Sequence, residues 1–243
     1  DDSSYRRGEL ALHKKWGLGR ALNAGSWLYF WSDWLIERLE LAPPVELAAR
    51  RLVDLTLLRA HQGQALDLST RVYDLAQADV PAVVTVTTQL KSGALMQLAT
   101  SLGAVAAAGP RPVVGALEQF GRRLGVGLQM LDDLGGIVSE KRCHKGHEDL
   151  LGGRPTWPFA WAAEELDQAA YAELRCLARR VQHRDTHPEV LAERLRELVG
   201  VSGQRHVDEY LARAFGDLTA GVGNVPVLAS VKSDLELLRR SYV

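Results

Sequence analysis

The sequence predicts an all-α protein, an antiparallel helix bundle around a central cavity, on three observations. Long stretches carry the i, i+3, i+4 apolar spacing of helices. Prolines and glycines punctuate them, at Pro43-Pro44, at Gly109-Pro110 and over 223–226. Alternating strand patterns are scarce, and the β-branched run Val83-Val84-Thr85-Val86 is flanked on both sides by helix-type spacing. Facing helices of such a bundle direct side chains into a shared interior.

The helices are expected over 22–39, 45–62, 80–107, 112–138, 157–183, 188–198, 203–219 and 225–241. The first carries Trp27, Tyr29, Phe30, Trp31 and Trp34. Trp27, Trp31 and Trp34 share one face, which suits a core or a dimer surface better than cation–π stabilisation of a reacting carbocation. The apolar stretch 80–108 is interrupted by Thr87, Thr88, Gln89 and Lys91 and reads as a buried helix lining a site. Lys91 stands out there, because a buried lysine costs free energy unless it is paired. Thr87 and Thr88 lie on its face, and Gln64, Asp67 and Arg71 share a face of the preceding helix, as a site element or as an intrahelical polar network. Arg239-Arg240 reads as a solvated basic helix end.

Composition narrows the function. The 243 residues are expected to form one domain, 1–243, since no composition shift, linker or fixed-period repeat divides them. A formal charge of −1 leaves no electrostatic footprint for nucleic acid. No apolar run reaches the roughly eighteen residues of a membrane span, so no stable membrane insertion is expected. Cys143 and Cys176 are too few for a disulfide framework, which a reducing cytoplasm fits best.

The chemistry concentrates in Gly127-Leu128-Gln129-Met130-Leu131-Asp132-Asp133, followed by Lys145, Asp149-Leu150 and Gly153-Arg154-Pro155-Thr156-Trp157-Pro158. Gln129, Asp132 and Asp133 share a helix face by spacing. Mg²⁺ is a hard cation, commonly held by one or two carboxylates together with substrate phosphates. A diphosphate near two aspartates needs metal ions and Lys or Arg to offset the repulsion. This is a metal and diphosphate site in outline.

The chain opens with Asp1-Asp2-Ser3-Ser4-Tyr5-Arg6-Arg7-Gly8, followed by His13, Gly17 and Ala21-Leu22-Asn23-Ala24-Gly25. With Gly63-Gln64-Ala65-Leu66-Asp67-Leu68, Lys91-Ser92-Gly93-Ala94-Leu95 and the Gln129 to Asp133 block, it resembles the trans-isoprenyl diphosphate synthases, the polyprenyl synthetase family. The ordered motifs cover roughly residues 1 to 160. The resemblance implies an isoprenoid synthase-type bundle and an Mg²⁺-dependent prenyltransferase. Such an enzyme condenses isopentenyl diphosphate with an allylic prenyl diphosphate into a longer trans-prenyl diphosphate, as a homodimer. By family position, Asp1, Asp132 and Asp133 serve the metals. Arg6, Lys91, Lys145 and Arg154 hold the allylic diphosphate side and Arg7 the isopentenyl diphosphate, with Gln129 beside the aspartates as part of the catalytic set.

Asp1 falls on the last aspartate of the family's first motif, so the chain is expected to be N-terminally incomplete. The second motif also departs from the pattern. Gly136 stands where a third carboxylate is usual, Arg154 replaces a lysine, and Ser92 replaces a threonine. Arginine keeps the charge but exchanges a point for a fork. Two alternatives accompany the leading reading: a terpene synthase or cyclase on the same scaffold, from the Asp132, Gly136, Glu140 spacing, and a non-catalytic regulatory subunit. Retention of Arg6-Arg7 and Lys145 favours chain elongation.

Overall fold

A computed structural model describes residues 3–6, 8–223, 225–240 and 242. Asp1 and Arg7 therefore lie outside the described residues. A short antiparallel ribbon, β1 (Tyr5–Arg6) and β2 (Glu9–Leu10), pairs Tyr5 with Leu10. Helices follow: α1 (Leu12–Trp16), α2 (Leu18–Glu37), α3 (Pro43–Ser69), α4 (Val80–Thr88), α5 (Ala94–Ala106), α6 (Arg111–Val138), α7 (Cys143–Leu151), α8 (Trp157–Glu165), α9 (Gln168–Gln182), α10 (Pro188–Val222) and α11 (Pro226–Arg240). Proline stands in the first turn of α3, α4, α6, α8 and α10, where its missing N–H has no intrahelical partner to lose.

The centre of the molecule is α6, which packs most extensively on α10 and α5. It buries Phe120, Leu124, Met130, Leu131 and Leu134, and opposite them α10 buries Leu211, Phe215 and Leu218. The Phe120 and Phe215 rings meet edge to face at 5.0 Å. Each such side chain contributes about 1.5–3 kcal/mol by leaving water. A helix this central is fixed on several sides, which is what a site at its C-terminal end requires. Among the described residues, no helix is long and apolar enough to cross a membrane.

The bundle matches the expected class, with corrections to individual elements. Instead of one helix over 157–183, α8 and α9 are separate, because the Asp167 carboxylate accepts from Ala170 N at 2.8 Å and starts a new helix. The expected break between 198 and 203 is absent, and α10 runs through. Its Gly203 serves packing, since a Cβ there would lie 2.6 Å from the Trp161 ring. The span 80–107 is interrupted by a π-helical segment, Gln89–Gly93. Such segments cluster at functional sites because they re-aim side chains. The ribbon, α1 and α7 had no apolar periodicity to announce them.

The aromatic stripe on α2 is not core. Trp27, Phe30, Trp31 and Trp34 are all exposed, and Ile36 is the buried residue of that helix. Ile36 packs with Ala49 and Val53 of α3 in a cluster separate from the main core.

Candidate active site

Close approaches at three glycines assemble the site. On α3, a Cβ at Gly63 would lie 2.8 Å from both Leu90 Cβ and Lys91 Cγ. On α6, a Cβ at Gly125 would lie 2.2 Å from Ser92 O. The π-helical segment is thus clamped between two glycine faces. Further along α6, a Cβ at Gly146 of α7 would lie 2.1 Å from Gly136 O, so α6 and α7 cross backbone to backbone. The residue in place of the family's third carboxylate is therefore a helix-crossing point.

The first clamp delivers Lys91 to Asp67, one turn beyond Gly63. Lys91 Nζ donates to Asp67 Oδ2 at 2.6 Å, and Arg154 Nη1 donates to the same oxygen at 2.7 Å. Asp67 is buried, so two cations compensate one carboxylate away from bulk water. Of the two sequence alternatives for Asp67, the intrahelical network is not what forms, since its partners are Lys91 and Arg154. Arg71 instead bonds the carbonyls of Leu68 and Thr70. Thr87 and Thr88 are buried, and Thr87 Oγ1 has no hydrogen-bond partner among the described residues.

Arg154 is placed by the turn that ends α7. Gly153 has φ +63°, a conformation that favours glycine, and a Cβ there would lie 2.9 Å from the Tyr73 ring. Arg154 N then bonds Asp149 O at 3.1 Å, and Arg154 Nε lies 3.8 Å from Asp149 Oδ1. Arg154 therefore joins the Asp67 centre to α7.

The second centre is the aspartate pair. Asp133 Oδ1 accepts from Gln129 Nε2 at 2.7 Å, and its Oδ2 accepts from the backbone N–H of Trp157 at 3.0 Å, at the start of α8. Gln129 in turn accepts from Ser92 Oγ at 2.7 Å. Gln129 is a link between the π-helical segment and Asp133. Burial pushes the Asp133 carboxyl up to about 7; the hydrogen bonds from Trp157 and Gln129 oppose this, and the charges of Asp149 and Asp132 add to it. Asp149 is also raised, first by burial and then by Asp67 and Asp132, against Lys145 and Arg154.

Asp132 faces cations. Its Oδ1 accepts from Arg142 Nη2 and its Oδ2 from Lys145 Nζ. Asp132, Asp133, Arg142, Lys145, Asp149 and Thr156 line one cleft with about 340 Å³ of empty space, its open mouth included.

Whether these residues suit Mg²⁺ turns on the donor set. Among the described residues, no three His, Cys, Asp or Glu side chains are grouped to hold a metal. Asp132, Asp133 and Asp149 nevertheless present only oxygen to the cleft, and the raised Asp133 marks buried negative charge short of positive compensation. Carboxylate oxygens keep a second lone pair beyond the bonds described. The set fits a hard cation arriving with phosphate oxygens and keeping waters, and does not fit a cage made by protein alone.

The remaining expectations fall as follows. Arg6 is exposed in β1 and does not line the cleft. Ser3 Oγ donates to both Glu148 carboxylate oxygens, at 3.1 and 3.0 Å, which ties the opening segment to α7. Glu140, third member of the cyclase spacing, lies exposed in the turn after α6, outside the cleft lining. Arg239 pairs with Asp208 and Glu236. Sequence reasoning missed Arg142, whose signal was its place in the cationic turn Lys141-Arg142 after the aspartate pair, and left Asp149 without a role.

A helix bundle with paired aspartates and converging cations defines the isoprenoid synthase class. The polyprenyl synthetase family model matches residues 1–197, and the chain belongs to that family. It is 31% identical over 142 residues to the short chain isoprenyl diphosphate synthase of Methanothermobacter thermautotrophicus, covering 58% of this chain and 42% of that one. It is 29% identical over 241 residues to the geranylgeranyl diphosphate synthase of Mycobacterium tuberculosis, covering 94% of this chain and 65% of that one. The crystal structure of a decaprenyl diphosphate synthase from Rhodobacter capsulatus superposes with a TM-score of 0.81 at 17% identity, over 100% of this chain and 73% of that chain. The chain thus spans less than two thirds of the length of these curated relatives.

Proposed function

We propose that this chain carries the diphosphate end of a trans-prenyltransferase that condenses isopentenyl diphosphate with an allylic diphosphate to a longer trans-prenyl diphosphate. The observation that carries the reading is the pairing of Lys91 and Arg154 with Asp67 and of Lys145 with Asp132, beside an Asp133 held by Gln129, within the polyprenyl synthetase family. In such a reaction the allylic C–O bond breaks and the isopentenyl double bond supplies the electron pair for the new C–C bond. A proton then leaves to the released diphosphate.

The protein's share is to hold negative charge on the leaving group. Lys91 has three N–H donors and uses one on Asp67, so its ammonium can serve a diphosphate while remaining anchored. Lys145 is half exposed at the cleft mouth and can pivot from Asp132 to a ligand oxygen. Fixed cations of this kind act where charge develops, without reorganising at the moment of reaction. Gln129 and the Trp157 N–H keep Asp133 oriented. Asp132, Asp133 and, by family position, Asp1 would hold Mg²⁺ together with the diphosphate, and the ion would supply Lewis-acid withdrawal of charge. By the same resemblance Arg6 joins the allylic diphosphate and Arg7 takes the isopentenyl diphosphate.

The exposed Trp27, Phe30, Trp31 and Trp34 on α2 support a homodimer, since a contiguous apolar face of this kind is an interaction surface. Cys143 and Cys176 are free thiols, in keeping with a cytoplasmic location.

The test is mass spectrometry of products from full-length protein with Mg²⁺, isopentenyl diphosphate and dimethylallyl, geranyl or farnesyl diphosphate. Longer diphosphates, lost in Asp132→Ala and Asp133→Ala, are expected. Cyclic hydrocarbons, or no turnover of any substrate, would overturn the reading.

A further inference from the structure

Arg142 is more tightly built into the cleft than the reaction as described requires. It sits at the start of α7, donates to Asp132 Oδ1 and lines the cleft beside Lys145. Its guanidinium lies over the ring of Tyr242, 3.8 Å from the centroid. The space for both comes from Gly135, three residues after Asp132. A Cβ there would lie 2.9 Å from Tyr242 O, 3.3 Å from Arg142 Cδ and 3.4 Å from Arg142 Nε.

Tyr242 is itself held in place. Its N–H donates to Arg239 O at 2.9 Å, and Arg239 pairs with Asp208 of α10 and Glu236 of α11. Leu228 and Leu235 bury α11 against the core. The aromatic ring is thus delivered to Arg142 by a docked helix.

We propose that Arg142 is a further diphosphate-binding residue of this cleft and that Tyr242 is the positioning residue that aims its guanidinium. The inference rests on the reading of the cleft as a diphosphate site. Asp132 faces both cations, but Asp133 and Asp149 share the cleft, so a diphosphate there depends on directed N–H donors rather than on surplus positive charge. A guanidinium has five N–H donors in a plane. Stacking on Tyr242 occupies one face and leaves the edge free, and the bond to Asp132 uses part of that edge. What remains is a preoriented fork suited to two phosphate oxygens at once. Lys145, more exposed and on a flexible stem, has no such restraint.

The experiment measures binding of inorganic pyrophosphate with Mg²⁺ by calorimetry, and steady-state KM and kcat, for full-length wild type, Arg142→Gln, Arg142→Lys, Tyr242→Ala and Tyr242→Phe. Arg142→Gln is expected to weaken pyrophosphate binding about ten- to hundredfold and to raise the allylic KM in step, the cost of a charge-assisted contact. Arg142→Lys should recover only part of this. Tyr242→Phe keeps the ring and should match wild type, whereas Tyr242→Ala should approach Arg142→Gln. Adding Tyr242→Ala to Arg142→Gln should change nothing more, because Tyr242 acts through Arg142. Wild-type pyrophosphate affinity and KM in Arg142→Gln would overturn the proposal, as would a Tyr242→Ala defect that persists undiminished in the Arg142→Gln background. Failure of wild type itself to bind pyrophosphate would overturn the underlying reading as well, which separates the two outcomes. The Lys and Phe variants keep charge and ring, so a folding defect in the harsher pair does not decide the result.

Discussion

Gly63 on α3 and Lys91 in the π-helical segment approach so closely that a Cβ on Gly63 would sit 2.8 Å from Lys91 Cγ. The absent side chain sets how deeply Lys91 reaches toward Asp67. Gly63→Ala would gain about 0.5–1 kcal/mol of helix propensity and lose about 1–3 kcal/mol to overpacking, because Leu90 and Lys91 must both move. A net loss of stability is expected, together with reduced turnover as Lys91 shifts. Gly216 of α10 has nothing within 4 Å of its would-be Cβ, so Gly216→Ala should gain stability and leave turnover alone. Urea denaturation and turnover of the two variants side by side check this, and equal effects would sink it.

Asp67 holds both Lys91 and Arg154 through one oxygen. Asp67→Asn keeps the shape and leaves two cations, one of them largely buried, without their carboxylate. The expected loss is on the order of 3 kcal/mol, as for other broken buried pairs. Lys91 is also freed from its anchor, so the KM for the allylic substrate should rise as well as the denaturation midpoint falling. A variant with wild-type midpoint would show that the pair contributes nothing net.

The raised carboxyl of Asp133 gives stability a definite pH dependence. Its folded value, about 7, lies above the ordinary value of 3.8. For such a group the stabilising contribution is fully present below the unfolded value and is lost as pH rises through the folded one. Without metal, the melting temperature should therefore fall between pH 4 and about pH 7. Asp149 is raised too and adds a slope of the same sign. Asp133→Asn should flatten part of the fall, and Mg²⁺ with pyrophosphate at pH 8 should restore part of it. A metal-free melting temperature that climbs over this interval in wild type, unchanged in Asp133→Asn, would contradict the assignment.

What the sequence revealed follows from what leaves a periodic mark. Apolar spacing announced α6 and the class of bundle, and the Gln129 to Asp133 spacing announced a shared face. Asp133 lines the cleft as the carboxylate that Gln129 and Trp157 hold, which spacing cannot show. The π-helical segment left no mark, since its cause lies in Gly63 and Gly125 on other helices. Gly203, where a helix was expected to begin, instead lies inside α10 and seats Trp161. Arg142 stayed hidden because its partners are Asp132 and the distant Tyr242. Helix α7 is polar and short, with its fit decided by Gly146 against Gly136.

That last contact yields a prediction about the missing carboxylate. Restoring an acid with Gly136→Asp looks, by family pattern, like a repair of the metal site. The crossing argues the opposite, because a Cβ at 136 would lie 3.0 Å from Gly146 Cα, which is backbone and cannot swing aside. The converse change is harsher, since a Cβ at 146 would lie 2.1 Å from Gly136 O. Gly146→Ala should cost about 3 kcal/mol or more, at the upper end for overpacking, and Gly136→Ala less. Because α7 carries Lys145 and Asp149, displacing it should also weaken pyrophosphate binding. Gly136→Asp should therefore lower both the melting temperature and the affinity, in step with Gly136→Ala. A gain in Mg²⁺-dependent affinity in Gly136→Asp would show that the crossing can open, and that the third carboxylate position is vacant for reasons other than packing.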